Sequence, residues 1–393
     1  MMGEAVEPQQ LPINPIHLRP TVMDVDLDAL AANFAAVRDR VAPALVMPIV
    51  KSNAYGHGLV PCAKHFADQG APFLGVALVE EAIQLRLAGI TSRILVLGGV
   101  FGSQIRYFLD YDLDVIASSV FKLEAIEETA RIAGKRARVH LKIDTGLERI
   151  GVHYYSAEPL LAKSLAVKHC DIVGISSHFA VADAPDTSFT ALQLERFLEV
   201  TSYFERHSAP TPLRHIANSG ALMRLPETHL DMVRPGICLY GVLPASHFAG
   251  RLTLRPVMSL RSQVVYFKVV KAGAGVSYGL TWQAPHDTRV VTVPIGYGDG
   301  YMRRLSNKGQ VLIRGQRYPV VGRVCMDQIM VNIGSEGEAF NGDEVVLLGC
   351  QGNECITAEE ITEHLDGNPR EFLVSTNLRL PRRYHRGKEV FLA

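Results

Sequence analysis

The chain between Asp26 and about Leu252 alternates short apolar runs with longer segments of helical periodicity. Such alternation predicts parallel strands joined by crossover helices. Eight strands are predicted, and they begin near Val46, Phe73, Ile94, Val115, Arg138, Ile172, Leu213 and Met232. Eight strand-helix units in about 230 residues favour a closed (β/α)8 barrel of the TIM type over an open doubly wound sheet.

The pattern changes after Arg251, where apolar runs typical of strands follow one another. Helical periodicity nearly vanishes there, apart from a short stretch from Ala358 to His364. A Gly315-Gln316 turn between two apolar runs indicates a hairpin. We therefore expect an α/β chain with an N-terminal tail at 1–18, a (β/α)8 barrel at 19–250 and a mostly antiparallel β domain at 251–393.

Composition and charge narrow the class of function. The chain has 393 residues, of which 48% are hydrophobic and 20% are charged, with a formal net charge of +0. This balance is typical of a soluble globular enzyme and provides no bulk attraction for nucleic acid or an anionic membrane. No apolar run approaches the roughly 18 residues of a membrane helix, and the acidic, proline-broken N-terminus is unlike a signal peptide. We expect a cytoplasmic protein that acts on a small molecule.

The cysteine and histidine spacings argue against a metal centre. No C-x-x-C, H-x-H or H-E-x-x-H pattern occurs, although these are the spacings by which zinc sites are usually recognised. We predict no metal and no disulfide scaffold, and we interpret Cys350 and Cys355 as buried or loop thiols.

Polar residues close most of the predicted barrel strands, where barrels of this kind carry their chemistry. These residues are Lys51, Lys142, Asp144, Arg149, His178, Asn218, Ser219 and Arg234. Most lysines that end an apolar strand are simply solvated strand ends. Lys51, however, opens the sequence KSNAYGHG, whose glycines and asparagine permit a tight turn that keeps backbone close to a ligand. We interpret Lys51 as a functional residue.

The loops after the seventh and eighth strands carry Asn-Ser-Gly at 218–220 and Arg-Pro-Gly-Ile at 234–237. Barrels commonly bind phosphate at these two loops through backbone N–H groups and hydroxyls. Taken singly, Ser219 and Gly236 are equally consistent with ordinary turn residues. A reactive lysine, a phosphate cradle and an arginine together indicate pyridoxal phosphate, an aldehyde held as a lysine Schiff base.

At this level of detail the sequence resembles alanine racemase, the barrel-type (fold type III) family of pyridoxal-phosphate racemases, from about Arg19 to Tyr384. The nine residues VKSNAYGHG at 50–58 resemble the family's cofactor-lysine signature and are highly specific. Further motifs follow in the family's order: KIDTGLERIG (142–151), SHFAVAD (177–183), ANSGA (217–221), VRPGICLYG (233–241), GVSYG (275–279), PIGYGDGY (294–301) and GRVCMDQI (322–329).

The resemblance implies a two-base racemase that works as a homodimer with shared active sites. Lys51 would be the Schiff-base lysine and one base, and Tyr278 would be the opposite base, supplied by the partner subunit. Racemisation requires a proton to leave one face of the α-carbon and another to arrive on the opposite face. The alternative interpretation of Tyr278 is a packed strand tyrosine, for which the glycines around it make a poor packing site.

The resemblance also implies contacts to the cofactor and the substrate. Arg234 would face the ring nitrogen with support from His178, which is otherwise a satisfied barrel histidine. Arg149 would contact the phenolic oxygen of the cofactor, and Met326 of the partner subunit would meet the substrate carboxylate. The phosphate would be held by Tyr55, Ser219, Gly236, Ile237 and Tyr384. Asn218 would be a further residue of the cofactor site.

Lys142 falls where many family members carry a carbamylated lysine that positions the arginine here numbered Arg149. Asp183, Arg303 and Arg323 fall at positions that line the substrate entrance in the family. Several departures from the family pattern leave the breadth of accepted substrates open: Leu147-Glu148 for Met-Gly, Trp282 for tyrosine, Gly298 for alanine and Arg383 for valine.

We predict pyridoxal-phosphate-dependent interconversion of L- and D-alanine, which would supply D-alanine for cell-wall peptidoglycan. Because arginine cannot pass its proton to the ring nitrogen, Arg234 favours racemisation over transamination. A racemase of broader specificity, acting on serine or other amino acids, is the nearest alternative. A decarboxylase of the same fold would be expected to place an acid at the ring nitrogen, and a non-catalytic pyridoxal-phosphate carrier would not need Tyr278.

Overall fold

The structure is a computed structural model that describes residues 19–363, 365 and 367–392. The predicted tail at 1–18 and the predicted helix end at His364 lie outside the described residues. Contacts divide the chain into two compact units. The barrel unit comprises Asp26–Val257 and His385–Glu389, and the β unit comprises Met258–Tyr384 with the described residues up to Val25 and from Val390.

The helices are α1 (Leu27–Val41), α2 (Lys51–Tyr55), α3 (Leu59–Asp68), α4 (Val79–Leu87), α5 (Ile105–Asp110), α6 (Val120–Ala133), α7 (Glu158–Ala166), α8 (Ser188–Arg206), α9 (Ser219–Arg224), α10 (Ala358–Glu363) and α11 (Pro369–Ser375). Short 3-10 turns occur at Gly102–Gln104, Tyr154–Ser156, Pro226–Thr228, Ile237–Tyr240, Ser246–Phe248, Tyr278–Leu280, Tyr297–Asp299 and Arg303–Leu305. None of the helices that the structure describes is long and apolar enough to cross a membrane.

The strands are β1 (Val22–Asp26), β2 (Leu45–Val46), β3 (Phe73–Val76), β4 (Arg93–Val96), β5 (Val115–Ala117), β6 (Ala137–Asp144), β7 (Val152–His153), β8 (Cys170–Ser176), β9 (Leu213–His215), β10 (Met232–Val233), β11 (Met258–Gln263), β12 (Tyr266–Val270), β13 (Gly275–Val276), β14 (Trp282–Gln283), β15 (Thr288–Val293), β16 (Gln310–Ile313), β17 (Gln316–Pro319), β18 (Ile329–Gly334), β19 (Glu344–Gln351), β20 (Glu354–Ile356), β21 (Arg382–Arg386) and β22 (Glu389–Leu392).

Eight parallel strands of the barrel unit close into a ring that follows chain order. Parallel ladders join β3 to β4, β5 to β6, β6 to β8, β8 to β9 and β10 to β2. Single bridges or backbone hydrogen bonds close the other joints: Ile49 to Gly75, Leu95 to Asp114, and Arg234 N–H to Ala217 O. The predicted (β/α)8 barrel is confirmed, and the predicted strand starts are within two residues of the observed ones, with the largest difference at Ile172 against Cys170.

Apolar side chains from around the ring form one cluster of the barrel interior: Met47, Ile49, Phe73, Leu95, Ile116 and Met232. Bulky side chains of this type are what usually fill a TIM-type barrel. Two histidines interrupt this apolar filling, because His140 on β6 and His215 on β9 are completely buried as well. The carboxyl ends of the same strands carry the polar residues described below.

The β unit consists mainly of antiparallel strands, as predicted. One sheet has the order β17-β16-β19-β11-β1-β21-β22, and another has the order β12-β15-β18. The hairpin predicted at Gly315-Gln316 joins β16 to β17, where Ile313 pairs with Gln316. Arg314 and Gly315 between them both have positive φ, of 51° and 75°, as a two-residue hairpin turn of type I′ requires.

The first strand lies within the range 19–250 predicted as barrel, yet it pairs inside the β unit. Val22 of β1 faces Arg261 of β11, and Val25 faces Met258. The reason is physical: an apolar alternating segment fits any sheet, and its own residues do not specify which one. The predicted domain bounds therefore do not describe residues 22–25.

The cysteine prediction is wrong at one place, because Cys350 and Cys355 form a disulfide. They are register partners across the β19–β20 hairpin, with Cα atoms 4.1 Å apart. A spacing of five residues reveals a cross-strand pair only once the turn at Gly352 is known, so the pair is not predictable from cysteine spacing alone.

Candidate active site

Lys51 lies at the start of a turn with an unusual backbone. Ser52, Asn53, Ala54 and Tyr55 have φ values of 53°, 56°, 53° and 52°, in the left-handed region that favours glycine. For L-residues this conformation costs on the order of 1–2 kcal/mol each. Four consecutive non-glycine residues in this region persist only because surrounding structure holds them, and such strain is typical of functional sites.

Three hydrogen bonds stabilise the left-handed turn, and they come from a side chain of α4, from the start of α3 and from the backbone just before the turn. Ser52 N–H donates to Glu81 Oε1 at 2.6 Å, and the backbone N–H of Leu59 donates to Asn53 Oδ1 at 2.8 Å. Ala54 N–H donates to the carbonyl of Val50 at 2.8 Å. Because Val50 N–H also donates to the carbonyl of Gly75 on β3, the position of Lys51 is tied directly to the barrel.

Tyr55, at the end of this turn, meets the loops after β9 and β10. A Cβ atom on Gly236 would lie 2.4 Å from Tyr55 Oη, so only glycine leaves room for the phenol there. Ser219 Oγ accepts the N–H of Gly236 at 3.0 Å. Ser219, Gly236 and Ile237 are buried. These contacts bring together Tyr55, Ser219 and Gly236, with Ile237 next to Gly236 in the chain, and all four are residues predicted to hold phosphate.

Asn218 precedes this cradle and caps α9, since its Oδ1 accepts the N–H of Ala221 at 3.1 Å. Asp183 lies against the same turn: a Cβ atom on Gly220 would be 2.3 Å from Asp183 Oδ1. The structure therefore places Asn218 and Asp183 at the rim of the cradle.

Arg234 is buried and surrounded by acceptors. Its Nη1 donates to the carbonyl of His215 at 2.6 Å and to His215 Nδ1 at 2.9 Å. Its Nη2 donates to the carbonyl of Ser177 at 2.6 Å and to His178 Nδ1 at 3.1 Å. Burial and the positive charge of Arg149 lower the pKa of Arg234 to about 9, so the guanidinium stays charged at neutral pH.

His178 and Lys142 share this cationic, dehydrated environment. Burial, followed by Arg234 and Lys142, holds the pKa of His178 well below its ordinary value, so the imidazole is neutral. Burial and the charges of Arg234 and Arg149 also hold the pKa of Lys142 well below its usual range, with Asp144 acting in the opposite direction. Lys142 is only 7% exposed, and its amine has no hydrogen-bond partner among the residues that the structure describes.

Asp144 organises the loop that carries Arg149. Its Oδ1 accepts three backbone N–H groups, and its Oδ2 accepts the N–H of Arg149 at 3.1 Å. Burial opposes ionisation, but these backbone hydrogen bonds outweigh it and lower the pKa of Asp144. Glu148 within this loop has a φ of 55° and pairs with His153 at 2.8 Å.

In the β unit, Tyr278 stands on the turn between β13 and β14 with 72% of its surface exposed. Ser277 before it has a φ of 65°, and its hydroxyl donates to the carbonyl of Arg323 at 2.6 Å. Tyr278 lines a pocket of about 470 Å³, whose other lining residues are Tyr297, Arg303, Arg323 and Val324. The structure thus gathers the predicted base and two predicted entrance residues within this unit.

Met326 and Tyr384 lie elsewhere in the β unit. Met326 is half exposed, and its carbonyl accepts the N–H of Gly298 at 2.9 Å. Tyr384 is buried on β21 and stacks against Phe391 with ring centroids 5.4 Å apart.

Several residues that shape the site were not predicted from the sequence. Glu81 supports the left-handed turn, and Tyr240 packs against Tyr55 while its hydroxyl donates to the carbonyl of Ile49 at 2.9 Å. His215 contacts Arg234 directly. A signal for His215 was available, because it lies in the strand predicted to begin near Leu213. Glu81 gave no such signal, because its position on a helix indicates only an exposed carboxylate.

The fold and these residues define a (β/α)8-barrel protein with a strained lysine turn, a loop cradle and a buried arginine. The alanine racemase N-terminal domain model matches residues 25–244, and the alanine racemase C-terminal domain model matches 257–384. The chain belongs to the alanine racemase family, whose members are amino-acid racemases.

Individual relatives agree over nearly their whole length. The alanine racemase of Carboxydothermus hydrogenoformans is 42% identical over 368 residues, covering 93% of this chain and 100% of that protein. The crystal structure of alanine racemase from D-cycloserine-producing Streptomyces lavendulae has a TM-score of 0.90 at 39% identity and covers 94% of this chain and 98% of that one. The Bartonella henselae alanine racemase structure with covalently bound pyridoxal phosphate has a TM-score of 0.85 at 28% identity. That match covers 93% of this chain and 99% of the other.

Proposed function

We propose that this protein interconverts L- and D-alanine with pyridoxal phosphate held by the barrel unit. The observation that carries the proposal is the strained turn, which presents Lys51 beside the cradle of Tyr55, Ser219 and Gly236. Relatives of the same length are named alanine racemases, and one related structure contains covalently bound pyridoxal phosphate.

The residues present fit this cofactor. The close approach of Tyr55 Oη to Gly236 leaves a cradle of hydroxyl and backbone groups suited to a phosphate. Tyr55, Ser219, Gly236 and Ile237 would hold the phosphate, joined by Tyr384, with Asn218 at the rim. When bound, pyridoxal phosphate supplies a covalent attachment for the amino group and stabilises negative charge on the α-carbon.

Arg234 determines which reaction follows. Its four terminal N–H groups are engaged by the carbonyls and rings around it, so its Nε–H is left to donate to the ring nitrogen. Because a guanidinium donates a hydrogen bond without giving up its proton, Arg234 would leave the ring nitrogen of a bound cofactor unprotonated and so weaken its pull on electrons. This arrangement would favour return of a proton to the α-carbon and hence racemisation.

Lys51 and Tyr278 would move the protons. One would take a proton from the α-carbon, and the other would deliver one to the opposite face. We propose that Tyr278 reaches the site from a partner subunit in a homodimer, with Met326 of the partner subunit at the substrate carboxylate. Asp183, Arg303 and Arg323 would line the entrance.

Lys142 would carry a carbamate that positions Arg149. The amine is buried and has no hydrogen-bond partner among the described residues, and its surroundings lower its pKa and so favour its neutral form. A neutral amine adds to carbon dioxide with loss of one proton to give a carbamate anion. That anion would be stabilised by Arg149 and Arg234, which replaces two unfavourable charge contacts by favourable ones. Native mass spectrometry should show one added carbon dioxide in the wild type and none in Lys142→Ala.

We place this activity in the cytoplasm, where D-alanine would enter cell-wall peptidoglycan. The substrate breadth is part of the same proposal, since Leu147-Glu148 and Trp282 depart from the family pattern. A panel of L-amino acids that includes serine tests it: alanine should be racemised at least about ten-fold faster than any other, corresponding to about 1.4 kcal/mol.

The activity itself is tested by chiral analysis of the purified protein with pyridoxal phosphate and L-alanine. We expect D-alanine from the wild type and an equal mixture at equilibrium. Lys51→Ala should be inactive, whereas Lys163→Ala, which removes an exposed lysine paired with Glu124, should retain full activity. Borohydride treatment should fix the cofactor to Lys51, and a label mapped to another lysine would overturn the assignment.

A further inference from the structure

A line of buried polar side chains runs through the barrel interior to Arg234. Asp114, just before β5, faces His140 Nε2 at 3.1 Å. His140 Nδ1 faces His215 Nε2 at 2.9 Å, and His215 Nδ1 faces Arg234 Nη1 at 2.9 Å. Asp114, His140 and His215 have no exposed surface. We call these four residues the relay.

Only one arrangement of protons satisfies the relay. Arginine has donors and no acceptor, so His215 Nδ1 must accept and carry no proton. His215 is then neutral with its proton on Nε2, which donates to His140 Nδ1. His140 must in turn carry its proton on Nε2 and donate it to the Asp114 carboxylate. Every hydrogen bond of the relay therefore points from Arg234 toward Asp114.

The far end of the relay is anchored by two more cations. Asp114 Oδ2 accepts from Arg93 at 2.5 Å, and Asp114 Oδ1 accepts from Arg138 Nε at 2.6 Å. Burial opposes ionisation of Asp114, but the hydrogen bonds from His140 and Arg138 and the charge of Arg93 outweigh it and lower the pKa of the carboxyl. A fixed anion at one end and a fixed cation at the other give the two histidines a single orientation.

The strands are built around this relay. A Cβ atom on Gly174 of β8 would lie 2.0 Å from His140 Nδ1, and the backbone there needs no positive φ. The glycine therefore serves to leave room for the imidazole. The β6–β8 register also shifts between Val139 and His140, so the histidine occupies a local irregularity in the ladder.

We propose that Asp114 and His140 are positioning residues for the racemase reaction, which fix the His215 tautomer and through it the direction of the Arg234 side chain. This inference rests on the proposed function, because it concerns the group that would face the ring nitrogen. With His215 Nδ1 held as an acceptor, Arg234 Nη1 stays bound to it. Arg234 Nε–H, which has no acceptor among the described residues, is then the donor that faces the cofactor.

Nitrogen NMR of the wild-type protein tests the relay without any activity measurement. Protein labelled with 15N-histidine should show His140 and His215 as neutral Nε2–H tautomers, assigned by the signals lost in His140→Gln and His215→Gln. A proton on Nδ1 of either ring, or a charged ring, would overturn the proposal. The wild-type spectrum decides this point even where a variant fails to fold.

Kinetics of two His140 variants test the consequence. His140→Phe removes the acceptor for His215 and should lower kcat about ten-fold with KM changed less than two-fold, since substrate contacts are untouched. His140→Gln offers an acceptor and a donor in the same order and should restore kcat to within about two-fold of the wild type. His65→Phe, which alters a buried histidine on α3 outside the relay, serves as the matched control and should leave kcat unchanged.

A folded His140→Phe protein with unchanged kcat, or His140→Gln no better than His140→Phe, would contradict the positioning role. Failure of the proposed function is separate from failure of the relay. A wild-type protein that forms no D-alanine but shows both Nε2–H tautomers would refute the activity and support the relay. Racemisation with the wrong tautomers would support the activity and refute the relay.

Discussion

At the scale of single residues, two residues of the loop before Arg149 have opposite effects on the stability of that loop. Asp144 stabilises the loop by accepting four backbone N–H groups. Glu148 strains it, because its φ of 55° is one that glycine adopts far more readily. Both residues act on the same short segment, so their effects are separable by substitution.

The substitution Asp144→Asn should make the free energy of unfolding less dependent on pH in the acid range. The folded pKa of Asp144 lies below its ordinary value of 3.8, so the folded state binds fewer protons than the unfolded state. Its stabilising effect is therefore complete above that value and lost as the pH falls through the lower, folded pKa. Urea unfolding should show a loss of about 1–2 kcal/mol at neutral pH that shrinks toward about pH 3. A loss independent of pH, or the same trend in exposed Asp68→Asn, would contradict this.

Glu148→Gly should be more stable than Glu148→Ala by about 1 kcal/mol, measured by urea unfolding, because both lose the contact to His153 but only glycine relieves the positive φ. The alanine variant is the matched control for the lost carboxylate. Equal stabilities for the two variants would show that Glu148 does not occupy the left-handed region in solution.

At the scale of elements, the turn after β2 is the feature that positions Lys51, the proposed Schiff-base lysine. Its residues take a conformation that their own preferences oppose, and Glu81 on α4 supplies the contact that helps to hold it. The tight turn that begins at Lys51 was predicted from the sequence. Its left-handed conformation was not predicted, because KSNAY contains no glycine to signal it.

Glu81→Ala should lower kcat about ten-fold and reduce the yield of borohydride labelling at Lys51, since the Ser52 N–H loses its acceptor. Glu80→Ala is the control, because Glu80 is the neighbouring exposed carboxylate on the same helix. Unchanged labelling and activity in Glu81→Ala would show that the turn is held by its other hydrogen bonds.

The positions of helices and strands were predicted from the sequence more accurately than the contacts between them. All eight barrel strands were located because apolar runs and helical periods alternate clearly. The assignment of β1 to the β unit, the Cys350–Cys355 pair and the relay from Asp114 to Arg234 were not foreseen. Each depends on contacts between distant segments, and neither periodicity nor spacing encodes those contacts.

At the scale of the whole molecule, Lys51 belongs to the barrel unit and Tyr278 to the β unit. The site residues Lys51, Arg234 and Tyr278 came from sequence motifs, and their local surroundings are consistent with the proposed roles. The proposal that each site combines Lys51 of one subunit with Tyr278 of another makes a quantitative statement about mixed dimers.

Lys51→Ala and Tyr278→Ala homodimers should each be nearly inactive, because every site lacks one base. Co-refolding equal amounts should give about half hybrids, each with one intact site, so activity should return to about a quarter of the wild type per site. Mass spectrometry verifies that hybrids form. Hybrids without recovered activity would mean that both bases come from one subunit.

The central claim is that two bases act on opposite faces of the α-carbon, and exchange in deuterium oxide tests it most directly. Tyr278→Phe keeps Lys51 and removes the other base, so NMR should show deuterium entering the α-position of one alanine enantiomer only, with no racemisation. The wild-type protein should label both enantiomers. Racemisation that persists in Tyr278→Phe, or exchange of both enantiomers by that variant, would contradict the account.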